Sequence, residues 1–249
     1  MRIVFLTTAD PIYLPAFFER VLDERGTETA SVCIVPPLYK GQGRFQAASR
    51  YYRTFGLSAT LQLARHVVVA RVRGRSIATV AARRGVESRE VADVNAPEFV
   101  DWVSGLRPDL LISVSCPQIF RRSLLDVPAV GALNIHGAVL PSYRGIMPSF
   151  WMLANGEREA GVSIYFMNEQ IDAGDLCGQR VFPIEDAESL HSFLVRSKAV
   201  AAELLLDVLD EFERGSVMRR PLDLTAGSYY SWPDRADVAR LHAAGRRLW

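Results

Sequence analysis

The chain has 249 residues, is 49% hydrophobic and 23% charged, and carries a formal net charge of +1. That composition excludes a disordered chain and suits one globular α/β domain with an appendage. The near-neutral total hides an asymmetry, because residues 40–90 hold eleven Lys/Arg against Glu87 and Glu90 alone, so any basic patch is regional.

Residues 3–7 form a short β-branched run ending in polar residues and Asp10, too short for a secretion signal. Residues 14–24 carry apolar side chains at 14, 17, 18, 21 and 22, which predicts a helix, and 29–35 reads as a second strand. Residues 45–84 are rich in Ala, Leu, Val and Arg with few breaks. They are expected to form a helical insert, spanning about 40–90, between the second and third core strands. A helix over 97–105, opened by Pro97, precedes a strand over 110–115. Residues 132–136, 162–167 and 176–182 read as further strands, with a short helix at 150–154 and a long one at 189–213 closed by Gly215. In the 221–249 extension, Tyr229, Tyr230 and Trp232 suggest an aromatic turn that leads into a helix. The alternation argues a mostly parallel, twisted sheet, with one layered domain over 1–220. No run approaches the roughly 18 apolar residues of a membrane helix. Cys33, Cys116 and Cys177 are odd in number and widely spaced, which fits a reducing cytoplasm. The four histidines show no metal-ligand spacing, so no metal is expected.

Asn134 and His136 are two apart on a predicted strand, so both side chains project from one face near its carboxyl end, where open α/β sheets bind ligands. An amide can donate to a developing oxyanion, and an imidazole can donate a hydrogen bond or shuttle a proton. Asp172 lies in a loop beside Ala173 and Gly174 and could orient His136 or take a proton from an attacking amine. Taken singly, each has a plainer reading: a loop cap, a core imidazole, a turn carboxylate.

Together these residues carry a resemblance. Asn134-Ile135-His136, Leu140-Pro141-Ser142-Tyr143-Arg144-Gly145, Asn155-Gly156-Glu157, Gly161-Val162-Ser163 and Ile171-Asp172-Ala173-Gly174-Asp175 resemble the catalytic core of the folate-dependent formyltransferases, over roughly 110–182. The resemblance implies a Rossmann-like core and N10-formyltetrahydrofolate as co-substrate, with Asn134, His136 and Asp172 as the catalytic set. It also implies that backbone groups of Ser115, Cys116, Pro117 and Gln118, and of Asn168, Glu169, Gln170 and Ile171, hold the pterin. Ser163 is expected to position Asp172, and Tyr143 and Arg144 to face the acceptor.

Departures from the family pattern narrow the acceptor. Residues 7–13 lack the Gly-rich phosphate loop of glycinamide ribonucleotide transformylases. The 221–249 stretch is too short for the RNA-binding barrel of methionyl-tRNA formyltransferases, so no nucleic acid is expected as partner. The N-terminal regulatory domain of formyltetrahydrofolate hydrolases is likewise not expected. Gly137 and Ala138 replace the residues usual after the family histidine. A small amine, such as a nucleotide-linked amino sugar, is the expected substrate. Arg50, Arg53, Arg71 or Arg73 of the insert could meet a nucleotide diphosphate, or the insert is a solvated helical face, or it contacts a membrane surface or carrier protein. The aromatic tail offers a surface for a homodimer. A hydrolase, or a folate- or partner-binding protein without turnover, is the alternative. Dinucleotide, P-loop and α/β-hydrolase glycine motifs are absent from the sequence.

Overall fold

The protein is described from a computed structural model covering residues 1–37 and 43–249; the first residues of the expected insert, 40–42, lie outside it. The chain order is β1 (Ile3–Thr8), α1 (Leu14–Arg25), β2 (Thr29–Val35), α2 (Arg44–Val72), α3 (Ile77–Arg83) and β3 (Ser88–Glu90). There follow α4 (Pro97–Leu106), β4 (Leu110–Val114), α5 (Arg122–Leu125), β5 (Gly131–His136), β6 (Arg144–Gly145) and α6 (Pro148–Ala154). The chain continues through β7 (Glu159–Phe166), β8 (Leu176–Pro183), α7 (Leu190–Glu213), β9 (Tyr229–Tyr230) and α8 (Arg235–Ala243).

The main sheet runs β3-β2-β1-β4-β5-β7-β8. Neighbours from β3 to β5 are parallel, whereas β7 and β8 are antiparallel. From β1 the chain first builds outward through β2 and β3, then returns to lay β4 and β5 on the other side of β1. That reversal opens a crevice at the carboxyl ends of β1 and β4, the place where open α/β sheets bind ligands.

Strand residues pack in two layers. Ile3, Phe5, Leu110, Ile112, Leu133 and Ile135 face α1, α3, α6 and α7. Val4, Leu6, Leu111 and Ala132 face α4 and α5. This double burial explains why the central strands read as continuous apolar runs. Proline opens α1, α4 and α6, and Ser189 caps α7 by accepting from the Ser192 N–H.

The helical insert follows the second strand as expected, as α2 and α3, with α2 kinked at Gly56 (φ 83°). Several elements depart from the sequence reading, among them α5 and β6, which it did not include. The edge strand β3 is exposed throughout and carries Ser, Arg and Glu, which leaves no apolar signal. β4 stops at Val114 because Ser115 turns to φ 55°, in the left-handed region. The aromatic turn at 229–230 is a strand: β9 pairs with β6, Arg144 opposite Tyr229 and Gly145 opposite Tyr230. The tail then reaches the insert, where the Trp232 indole N–H donates to Thr54 Oγ1 at 3.0 Å.

Candidate active site

Register places the predicted residues at one edge. Ser113 pairs with Asn134 and Val114 with Ile135, so Ser115 emerges beside His136. On the other side of β5, Asn134 pairs with Tyr165 and His136 with Ser163. Asp172 follows β7 on a loop that bends back over the same edge; it is buried and sits at φ 50°. Asp tolerates this left-handed conformation better than most residues. Gly174 is required just beyond it, since a Cβ there would stand 1.6 Å from the Phe166 carbonyl oxygen.

Asn134, His136 and Asp172 therefore come together. Asp172 Oδ1 lies 3.6 Å from His136 Nδ1 and accepts a hydrogen bond from the Tyr165 hydroxyl at 2.8 Å. Asp172 Oδ2 accepts from the Gly145 N–H at 2.7 Å. The Asn134 amide donates to the Tyr165 oxygen at 3.0 Å, which leaves its second hydrogen unspent. His136 Nε2 lies 2.8 Å from the Tyr143 carbonyl oxygen. A carbonyl only accepts, which assigns a hydrogen to Nε2 and leaves Nδ1 toward Asp172.

Tyr165 is the residue that sequence reasoning missed. It links the Asn134 amide to the Asp172 carboxylate, and burial together with that carboxylate pushes its phenol well above the ordinary value. Its position opposite Asn134 comes from the antiparallel pairing of β5 and β7, which leaves no local signal in the sequence.

Ser163 corrects an expectation. Its buried hydroxyl donates to the Ala138 carbonyl at 2.7 Å and accepts from the Leu140 N–H and the Gln179 amide. The hydrogen bonds that hold Asp172 come instead from Tyr165 and Gly145, while Ser163 pins the turn containing the cis Leu140–Pro141 bond.

The two expected pterin segments flank the edge. Ser115 Oγ accepts from the Lys198 ammonium at 2.8 Å. Burial lowers the Lys198 pKa, opposed by the charge of Asp10. The Gln118 side chain bonds backbone at Ala92 and Val94, so its amide is committed to the fold. Burial pushes the Cys116 thiol up to about 11, which removes it as a nucleophile near neutral pH. Asn168 accepts from the Gln170 N–H at 2.9 Å and shapes the second segment, where Glu169 and Gln170 are exposed. Ile119 and Ile171 expose 63% and 46% of their surface at the two flanks, large apolar side chains left open beside a polar site.

Tyr143, at φ 59°, stacks on Tyr230, and its hydroxyl donates to Glu157. Arg144 Nε is buried without a hydrogen-bond partner. Phe150 and Trp151 belong to the core. Arg50 and Arg53 line a groove with Phe45, Gln46, Ser49 and Thr54. Arg71 and Arg73 stand about five to six helical turns farther along, past the Gly56 kink, so the four do not form one cluster. Among the described residues no group of His, Cys, Asp and Glu could hold a metal, and no helix is long and apolar enough to cross a membrane.

Residues 1–209 match the sequence profile of the formyl transferase family. The chain belongs to that family. A methionyl-tRNA formyltransferase of Citrifermentans bemidjiense is 33% identical over 226 residues, 90% of this chain and 61% of the relative. The chain thus spans under two thirds of the curated relatives it matches at nearly full extent. Among solved structures, a sugar N-formyltransferase from Shewanella aligns with a TM-score of 0.61 at 17% identity, covering 98% of this chain and 88% of that one. An N-formyltransferase from Helicobacter canadensis, solved with folinic acid and dTDP-3-aminofucose, aligns at 0.60 and 16%, covering 95% and 72%. These two likenesses establish the shared fold. As a formyl transferase family member, the chain carries its three predicted polar residues around the carboxyl end of β5.

Proposed function

We propose that this formyl transferase moves a formyl group from N10-formyltetrahydrofolate to the primary amine of a small metabolite, with a nucleotide-linked amino sugar as the favoured class. The observation that carries the reading is the convergence of Asn134, His136 and Asp172 at the β5 edge, with the Asp172 carboxylate 3.6 Å from the ring nitrogen. The site suits the donor: a spare Asn134 hydrogen faces the edge, and Ile119 and Ile171 offer apolar surface to a flat heterocycle on either side.

In the reaction the amine nitrogen bonds to the formyl carbon and the carbonyl oxygen takes the negative charge. The second Asn134 hydrogen and the His136 Nε2–H, released from the Tyr143 carbonyl when the donor binds, stabilise that oxyanion, and Asp172 receives the ammonium proton. The carbon to N10 bond then breaks, and the proton passes to the departing folate nitrogen. Tyr143 and Arg144 precede Gly145, whose N–H bonds Asp172, and the unpartnered Arg144 Nε supplies a buried donor for an acceptor's oxygen.

Tetrahydrofolate release is the assay. The reading expects release that depends on an added amine and is lost, by at least about a thousandfold, in His136→Ala with folding retained. Release of formate at the same rate without acceptor would identify a hydrolase instead. Charged tRNA is the competing acceptor, favoured by the names of the curated relatives. Formylation of methionyl-tRNA and of no amino-sugar nucleotide would replace the small-amine reading.

A further inference from the structure

We propose that the second segment of α2 is a bilayer-docking surface that lies flat on anionic lipid headgroups. The helix is inverted relative to an ordinary surface helix. Its packed side carries Ala59, Ala70 and the partly buried Gln62 and His66, and His66 stacks on Trp249. Its outer side carries Leu57, Leu61, Val68 and Val72, exposed by 61%, 60%, 58% and 83%.

The spacing makes these residues a continuous stripe. At about 100° per residue, positions 57, 61, 64, 68 and 72 fall within an arc roughly 80° wide, opposite the packed side. The stripe runs for about 24 Å beyond the Gly56 kink at 1.5 Å per residue. Arg65 borders it on one side and Arg71 on the other, both exposed, and Arg73 and Arg75 extend the basic end. No Asp or Glu occurs between Gly43 and Val86.

Charge selects the occupant. A second copy laid on this face would set arginines against arginines without acidic partners, which opposes self-association. Nucleic acid would meet the arginines but leave Leu61, Val68 and Val72 facing water or phosphate. An anionic bilayer satisfies both features at once: the aliphatic side chains enter the headgroup boundary, and the guanidinium groups snorkel to the phosphates. An interfacial helix of this kind needs no membrane-spanning segment, consistent with the absence of one among the described residues.

Flotation of the full chain with phosphatidylcholine vesicles, with and without phosphatidylglycerol, tests the proposal without reference to catalysis. Binding to phosphatidylglycerol vesicles is expected to exceed binding to phosphatidylcholine alone by about tenfold or more, and to weaken as salt is raised. The triple change Leu61→Ser, Val68→Ser, Val72→Ser is expected to reduce it by about tenfold or more. The change Arg65→Gln, Arg71→Gln, Arg73→Gln should lower it and remove the salt dependence. All six positions are in the exposed half of the insert or partly exposed beyond it, and circular dichroism checks that the fold is kept. Failure to float with either vesicle, or binding untouched by the serine triple, overturns the proposal. So does a concentration-dependent dimer abolished by the serine triple, which would assign the face to a second copy. RNA binding that survives the serine triple, with no flotation, would assign the arginines to nucleic acid and also overturn it.

Discussion

Tyr165 decides how the three polar residues act as one site. Its hydroxyl accepts from Asn134 and donates to Asp172, so a single phenol fixes the amide on β5 and the carboxylate on the loop after β7. Tyr165→Phe keeps the ring and removes both bonds, leaving a buried carboxylate oxygen with one partner fewer. Turnover is expected to fall about tenfold to a hundredfold with donor affinity within about threefold, as for residues that orient a catalytic group. Equal losses in both would place Tyr165 in binding rather than orientation. Cys116 gives a complementary prediction. With its thiol pushed to about 11, roughly one molecule in a thousand is thiolate at pH 8. Iodoacetamide should therefore label the native protein slowly and the unfolded protein quickly, and Cys116→Ser should retain turnover within about twofold. Rapid native labelling at Cys116 would contradict the burial argument. Asn134 and His136 were legible in the sequence because period two on a strand fixes which residues share a face. Tyr165 was not, since its role depends on antiparallel register between β5 and β7, which no local pattern records. The surroundings of Ser163 were hidden for the same reason: its hydroxyl bonds the 138–140 turn, not Asp172 nine residues onward.

Elements transmit these positions through close backbone contacts. The 172–175 loop can return to the sheet edge only because Gly174 presents no side chain to β7. Gly174→Ala must displace the Phe166 carbonyl or the loop, at a cost on the order of 3 kcal/mol, read as a drop in the urea midpoint. A loss under about 1 kcal/mol would show that the loop relaxes freely. The β6–β9 pair has a similar part, joining the Tyr143–Gly145 segment to the tail and through Trp232 to α2. The central strands and the long helices were legible because their apolar runs and 3.6-residue stripes are long. β3, β6 and β9 were not, because two- and three-residue strands with polar or aromatic residues exist through their partners rather than their own sequence.

At the scale of the whole molecule, the reversal of strand order at β1 and β4 gathers at one edge Asp10 after β1, Ser115 after β4 with Lys198 bonded to it, and the three polar residues around β5. The second segment of α2 carries its exposed arginines and apolar stripe on its outer side, while Arg84 pairs with Asp23 and Arg89 lies over Trp102, so the basic character of the region is spread over more than one surface. The central claim is that Asn134, His136 and Asp172 transfer a formyl group to a small amine. The most direct measurement is mass spectrometry of a panel of amino-sugar nucleotides incubated with N10-formyltetrahydrofolate and the protein. The account predicts a mass gain of one formyl group on at least one of them, matched by tetrahydrofolate release and absent with His136→Ala or Asp172→Asn. Formylation that persists in both variants, or appears on methionyl-tRNA and on no small amine, would contradict it.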